Sequence, residues 1–107
     1  MAFRNRGSAY EGRKEYARAI TDYTQAIQLN PKDAQAFDGR GSVYYDQKEY
    51  AAAIADYTDA IRLNPRDAGA FLNRGVVYDH QHDYARAIAD YDQAIRLNPR
   101  YSDAFNS

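Results

Sequence analysis

The amino-acid sequence predicts an all-α fold, an α-solenoid of stacked helix–turn–helix units, on three observations. Ala34–Asp67 reads AQAFDGRGSVYYDQKEYAAAIADYTDAIRLNPRD, and Ala68–Tyr101 repeats it with the same residue at most positions. The residues up to Asp33 carry the same marks: Phe3, Phe37, Phe71 and Phe105 share one register, and so do Gly7, Gly41 and Gly75. Within each unit the apolar residues fall at helical spacing. An Asn-Pro pair then closes it, at 30–31, 64–65 and 98–99. A fixed period of about 34 residues marks a repeat array, in which each unit buries its face only against its neighbours.

The units divide the chain at about 1–33, 34–67 and 68–101, with the start of a fourth at 102–107, all in a single domain over 1–107. Each unit parses into two helices, giving helices near 2–13, 17–29, 34–46, 51–63, 68–80 and 85–97. In the middle unit Asp33 is a candidate N-cap, because its carboxylate can accept from the free amides of the first turn. Ala34, Phe37, Val43 and Tyr44 supply the apolar face of the first helix. Gln47-Lys48-Glu49 makes the turn, and Glu49 or Tyr50 opens the second helix. Tyr50, Ala53, Ile54, Tyr57, Ala60, Ile61 and Leu63 then form one wide apolar stripe. Asn64-Pro65 ends it, since proline disfavours helical geometry in the residue before it. Arg62 and Arg66 place positive charge where the helix dipole is negative. Gly41, Ala53 and Ala60 let the paired backbones approach, and Phe37, Tyr44, Tyr50 and Tyr57 fill the space between hairpins. Most of the 11 tyrosines therefore belong to the core. Tyr45 and Tyr101 break the period.

Composition narrows the function. The 107 residues carry a net charge of −1 with both signs interspersed, which gives no electrostatic footprint for nucleic acid or an anionic membrane. No apolar run approaches the roughly 20 residues of a membrane span. The start, MAFRNRGSAY, is already repeat sequence, so no signal peptide is visible and a cytoplasmic location is expected. Without cysteine there are neither disulfides nor thiolate metal sites. No phosphate loop, HExxH or nucleophile elbow is present, so neither an enzyme nor a cofactor is expected. His80 and His82 are two apart near a helix end, where they do not share a face, and read as turn residues rather than metal ligands.

The register of Phe37, Gly41, Tyr44, Ala53, Tyr57, Ala60 and Pro65, with their counterparts in the flanking units, resembles the tetratricopeptide repeat over nearly the whole chain. The resemblance implies a right-handed superhelix whose first helices line a concave groove, usually filled by an extended peptide or a partner helix. It implies a protein-interaction scaffold with a protein or peptide ligand. The groove positions carry Arg4, Asn5, Ser8 and Glu11, then Asp38, Gly39, Ser42, Tyr45 and Asp46, then Leu72, Asn73, Val76, Asp79 and His80. These vary between units while the packing positions do not. Chaperone-binding members of the family clamp a C-terminal carboxylate with Lys, Asn and Arg. At those positions this chain has Arg4, Ser8, Gly39, Gly69 and Asn73, which argues against a chaperone-tail adaptor. One base, Arg4, faces Glu11, Asp38, Asp46 and Asp79, a balance that favours a polar or basic partner. Gly39, inside a helix, admits either close approach of a ligand backbone or simple tolerance.

Two further expectations follow from departures and ends. Arg6, Arg40 and Arg74 replace the family's usual Leu on the first helix, and Asp22, Asp56 and Asp90 stand on the second. These predict three equivalent Arg–Asp pairs that set the register of each hairpin. The last helix, with Ile88, Tyr91 and Ile95, lacks its usual cover, since Phe105 only begins a fourth unit. Two accounts compete: the chain is a piece of a longer array, or its ends associate, and self-association through Ile88, Tyr91, Ile95, Tyr101 and Phe105, giving a homo-oligomer by head-to-tail stacking or by exchange of terminal helices, is the alternative function.

Overall fold

The computed structural model describes residues 2–100, with side chains from residue 4 onward. Tyr101, Phe105 and the start of a fourth unit lie outside the described residues, as do Met1 and the side chain of Phe3. Among the described residues six helices follow in order: α1 Ala2–Gly12, α2 Tyr16–Leu29, α3 Ala34–Asp46, α4 Tyr50–Leu63, α5 Ala68–His80 and α6 Tyr84–Leu97. Every boundary lies within one residue of the sequence expectation.

The ends of the helices have local causes. Asp33, Asp67 and Asp83 accept from the amides of Ala36, Ala70 and Arg86 and cap α3, α5 and α6. At the other end, the amides of Lys32, Arg66 and Arg100 donate to the side-chain oxygens of Asn30, Asn64 and Asn98, so asparagine as well as proline turns the chain. Each hairpin turn is a Schellman motif. In the middle one the Glu49 amide donates to the Tyr44 carbonyl at 2.8 Å, and the Lys48 amide to the Tyr45 carbonyl at 2.9 Å. The residue that makes the motif has positive φ, and here it is Lys14, Lys48 or His82 at 61°, 62° and 63° rather than glycine. Left-handed backbone is costly for a residue with a Cβ. Lys48→Gly is therefore expected to stabilise the protein by about 0.5–1 kcal/mol, read as a higher urea midpoint with unchanged slope.

Packing follows the repeat. Val43 of α3 inserts against Ala19 and Tyr23 of α2, and Val77 of α5 against Ala53 and Tyr57 of α4, both valines being fully buried. Phe37, Ala60 and Ala70 form a third cluster with Ile27, Ile61 and Leu63 around them. Within each hairpin a tyrosine ring lies over a glycine: a Cβ on Gly41 would stand 3.0 Å from Tyr57, and one on Gly75 2.8 Å from Tyr91. The first helices of successive hairpins touch, α1 with α3 and α3 with α5, whereas α2 and α4 do not, nor α4 and α6. The stack therefore curves toward its first helices, and α1, α3 and α5 form the inner face.

The three Arg–Asp pairs are present. Arg40 Nε and Nη2 donate to the two carboxylate oxygens of Asp56, each at 2.8 Å, and Arg74 holds Asp90 with the same two distances. Arg6 donates to Asp22 at 2.7 and 2.9 Å, which holds that carboxyl below the usual carboxylate range. The aspartates are buried. The guanidinium also reaches backward along the stack, where Arg40 Nη1 donates to Thr24 Oγ1 and Arg74 Nη1 to Thr58 Oγ1, each at 3.2 Å. One arginine thus ties its own hairpin together and locks it to the one before.

Most tyrosines pack as the repeat predicts, Tyr23 and Tyr57 completely. Tyr84 is an exception to the expectation that the repeated tyrosines are core: it is 55 % exposed, and beside it Ile88 is 58 % exposed. Their counterparts Tyr50 and Ile54 are covered by the following hairpin, and among the described residues no helix follows α6.

Candidate functional site

The inner face is built from the exposed sides of α1, α3 and α5, and its polar groups are linked from unit to unit. Arg4 donates from Nη1 to both oxygens of the α3 cap Asp33, at 3.0 and 3.2 Å. The charge of the groove's one base is thus met inside the protein. Glu11 joins three helices: its Oε2 accepts from Ser42 Oγ at 2.6 Å, and its Oε1 from the Tyr23 hydroxyl at 3.2 Å. Burial first, and then the nearby Glu11 charge, push the Tyr23 phenol up to about 12.

Gly39 has neither of the two roles open to it from sequence. A Cβ there would fall 2.4 Å from the Tyr23 ring. The glycine serves an internal contact between hairpins, with Tyr23 occupying the space that a Cβ would fill.

Asp38 holds the place on α3 that Arg4 holds on α1, and Asp67 caps α5 as Asp33 caps α3. The carboxylate–guanidinium pair of the first junction therefore becomes two facing carboxyls at the second. Asp38 Oδ1 is buried without a hydrogen-bond partner among the described residues. Burial, and next the adjacent Asp67, push the Asp38 carboxyl up to about 8. Near neutral pH this group keeps a proton that a neighbouring cation would displace.

The C-terminal part of the groove is aromatic. Tyr45 meets His80 edge to face at 5.3 Å, and its hydroxyl lies 2.7 Å from His80 Nε2. Tyr50 stacks on the same imidazole at 5.8 Å. His82 turns the other way, its Nδ1 2.8 Å from the Tyr84 hydroxyl. Among the described residues no three potential ligands converge to hold a metal ion. Asn5, Ser8, Asp46, Asn73 and Asp79 are exposed, and Ser42, Leu72 and Val76 are half-buried. The sequence pattern brought Asp38, Tyr45 and His80 to notice, but not Asp67, whose part in the site depends on the junction between hairpins. Its signal was present in the alignment of Arg4 and Asp33 with Asp38 and Asp67.

Comparisons with known proteins agree with this architecture. Family profiles described as tetratricopeptide repeat match residues 39–102 and residues 1–33. The chain belongs to the tetratricopeptide repeat family. No curated protein sequence matches it. Among solved structures it is similar to the Arabidopsis OM64 TPR domain, at 27 % identity and a TM-score of 0.90, covering 92 % of this chain and 82 % of that one. It is likewise similar to the first TPR of Spaghetti (RPAP3) bound to the HSP90 peptide SRMEEVD, at 25 % identity and TM-score 0.89, over 99 % and 92 % of the two chains. A third similar structure is the first TPR domain of human RPAP3, at 27 % identity and TM-score 0.88, over 91 % and 76 %. No helix among the described residues is long and apolar enough to cross a membrane.

Proposed function

We propose that this protein is a non-catalytic interaction scaffold whose inner face binds an extended segment of another protein, with preference for one bearing lysine or arginine. The observation that carries the charge preference is the facing of Asp38 and Asp67 where the preceding junction has Arg4 on Asp33. A guanidinium is accommodated at that register within this chain, and a ligand cation at the second junction would supply what Asp38 does not. Asp46 and Asp79 extend the acidic surface to either side, and like charge deters an acidic partner. The peptide-bound RPAP3 relative supports a segment held by the groove. Its acidic peptide is not the chemistry this groove favours, because the clamp positions hold Ser8, Gly39 and Gly69, and Arg4 is engaged by Asp33.

A peptide library displayed at fixed length, half of it enriched in Lys and Arg and half in Asp and Glu, tests the preference. The basic half is expected to supply the binders. As pH rises through about 8 Asp38 loses its proton, so affinity for a selected basic peptide should rise from pH 6 to 8.5. Asp38→Asn should lower that affinity about tenfold at pH 8.5, roughly 1.4 kcal/mol, and much less at pH 6. Equal capture of acidic and basic peptides would overturn the charge preference, and binding unaffected by substitutions along α1, α3 and α5 would overturn the groove.

A further inference from the structure

Two junctions hold the three hairpins together, and they share a frame. At each, the arginine of the incoming first helix bonds a threonine of the earlier second helix, Arg40 to Thr24 and Arg74 to Thr58, both at 3.2 Å. At each, a valine is fully buried against the earlier hairpin, Val43 and then Val77. The junctions differ where the first helices meet along the inner face. The first is closed at one edge by Arg4 on Asp33, 3.0 Å apart, and at the other by Ser42 on Glu11 at 2.6 Å. The second has two acids, Asp38 and Asp67, at the one edge, and at the other the Tyr45 hydroxyl 2.7 Å from His80 Nε2.

The acid pair holds together only with a proton in it. Asp67 caps α5 by accepting from the Ala70 amide at 3.0 Å, which leaves Asp38 as the donor of the pair. The groups around Asp38 offer no substitute for that proton. Asp67 faces it from the α5 cap and the Tyr57 phenol from α4, while the Tyr23 ring of α2 lies over the neighbouring Gly39. Glu11 of α1 and Asp46 of α3 add negative charge around the same Tyr57 phenol. None of these is a cation, and Arg40, two residues on, is committed to Asp56 and Thr24. Asp38 Oδ1 is buried and has no hydrogen-bond partner among the described residues.

We infer that the second junction is a proton-locked hinge: a protonated Asp38 holds α5 against α3, and loss of that proton lets the third hairpin swing away about its Arg74–Thr58 and Val77 contacts. Two like charges at hydrogen-bond range repel strongly where burial excludes water. Hydrating the buried oxygen requires water between α3 and the α5 cap, so the two helices part. The first junction has a guanidinium in that place, and the first two hairpins stay together. Contact between first helices is what curves the stack, so opening straightens the inner face at its centre. Burial, and then Asp67, push the Asp38 carboxyl up to about 8, so the hinge releases as pH rises through that value. The folded chain keeps a proton that the unfolded chain gives up near about 4, and rising pH between the two weakens the closed junction. Burial pushes the Tyr23 and Tyr57 phenols up and away from this window. The hinge acts in the free protein and needs no ligand in the groove. A partner's cation would close it as Arg4 closes the first junction.

Spin-label distances in the free protein test this, and the absence of cysteine lets label pairs be placed cleanly. Asn5, Gln35 and Asn73 are exposed on α1, α3 and α5. Gln35→Cys with Asn73→Cys spans the second junction, and Asn5→Cys with Gln35→Cys spans the first. Between pH 6 and 9.5 a longer separation is expected to replace the short one in the second pair, with its midpoint near pH 8, while the first pair stays constant. Asp38→Asn keeps a donor without a charge and should hold the second pair short at pH 9.5. Asp38→Arg, which copies Arg4, should do the same, and helical circular dichroism shows that each variant is folded. A second-junction distance constant over the whole range would overturn the hinge and leave Asp38 to ionise in place. A change of equal size in the first pair, or one that persists in Asp38→Asn, would overturn it as well.

Discussion

Asp56→Ala is expected to destabilise the protein by about 3–5 kcal/mol, whereas Arg40→Met combined with Asp56→Leu should stay within about 1 kcal/mol of the wild type. The reason lies in what each variant leaves behind. Asp56 is buried at 4 % exposure and receives two bonds from Arg40. Removing the carboxylate strands a guanidinium between α3 and α4, held over the Phe37 and Tyr44 rings at 5.7 and 6.0 Å with, among the described residues, the Thr24 hydroxyl left to accept from it. Removing both partners strands nothing, and apolar side chains recover the contact that the leucine of related repeats supplies. The pair therefore fixes register more than it adds stability. Asp22→Ala should cost less than Asp56→Ala, because Arg6 lies largely in water and can rehydrate. Chemical denaturation of the four proteins decides the matter. Equal losses for Asp56→Ala and the double variant would remove the stranded charge as the explanation.

Gly39→Ala is the second large effect, and its sign opposes helix propensity. In an unobstructed helix the change gains about 1 kcal/mol. Here the new methyl would stand 2.4 Å from the Tyr23 ring. That ring cannot simply withdraw: Tyr23 is 3 % exposed, its other face lies against Gly7, and its hydroxyl is bound to Glu11. Making room means releasing Glu11, which also holds Ser42. A net loss of about 1–3 kcal/mol is expected, as for other overpacked sites. Gly12→Ala is the matched comparison, since nothing lies within 4 Å of a Cβ there, and it should raise stability by a few tenths to about 1 kcal/mol. Urea midpoints that move the same way for both glycines would contradict the steric account.

How much was legible in the sequence depends on the range of the interaction. Helix ends were legible because their causes are local: a capping Asp33, an Asn64-Pro65 stop, an apolar stripe along Tyr50–Leu63. The turn residues were less so. The left-handed positions hold Lys14, Lys48 and His82, and the Schellman bonds that impose that geometry leave no glycine to mark them. The Arg–Asp pairs were legible for another reason, since three repeats of an unusual residue on each helix act as an internal alignment.

The contents of the groove were only half legible. Sequence assigned Asp38 to the inner face but could not pair it with Asp67, and it counted Arg4 as a base available to ligands when Asp33 already holds it. It expected the last helix to lack cover at Ile88 but did not name Tyr84 beside it, because Tyr84 shares its register with tyrosines that pack in the earlier units.

The sequence by itself determined the class of fold, the number and bounds of the helices and the residues that pack each hairpin. These depend on spacing within one unit, and the repeat states that spacing three times. Only the tertiary structure decided which carboxylates are met by a cation and which face each other, why Gly39 is glycine, and which side chains the last hairpin leaves in water. Those outcomes are set at the junctions between hairpins, where residues about one repeat apart come within a hydrogen bond and a single change of charge on one side alters what its neighbour can do.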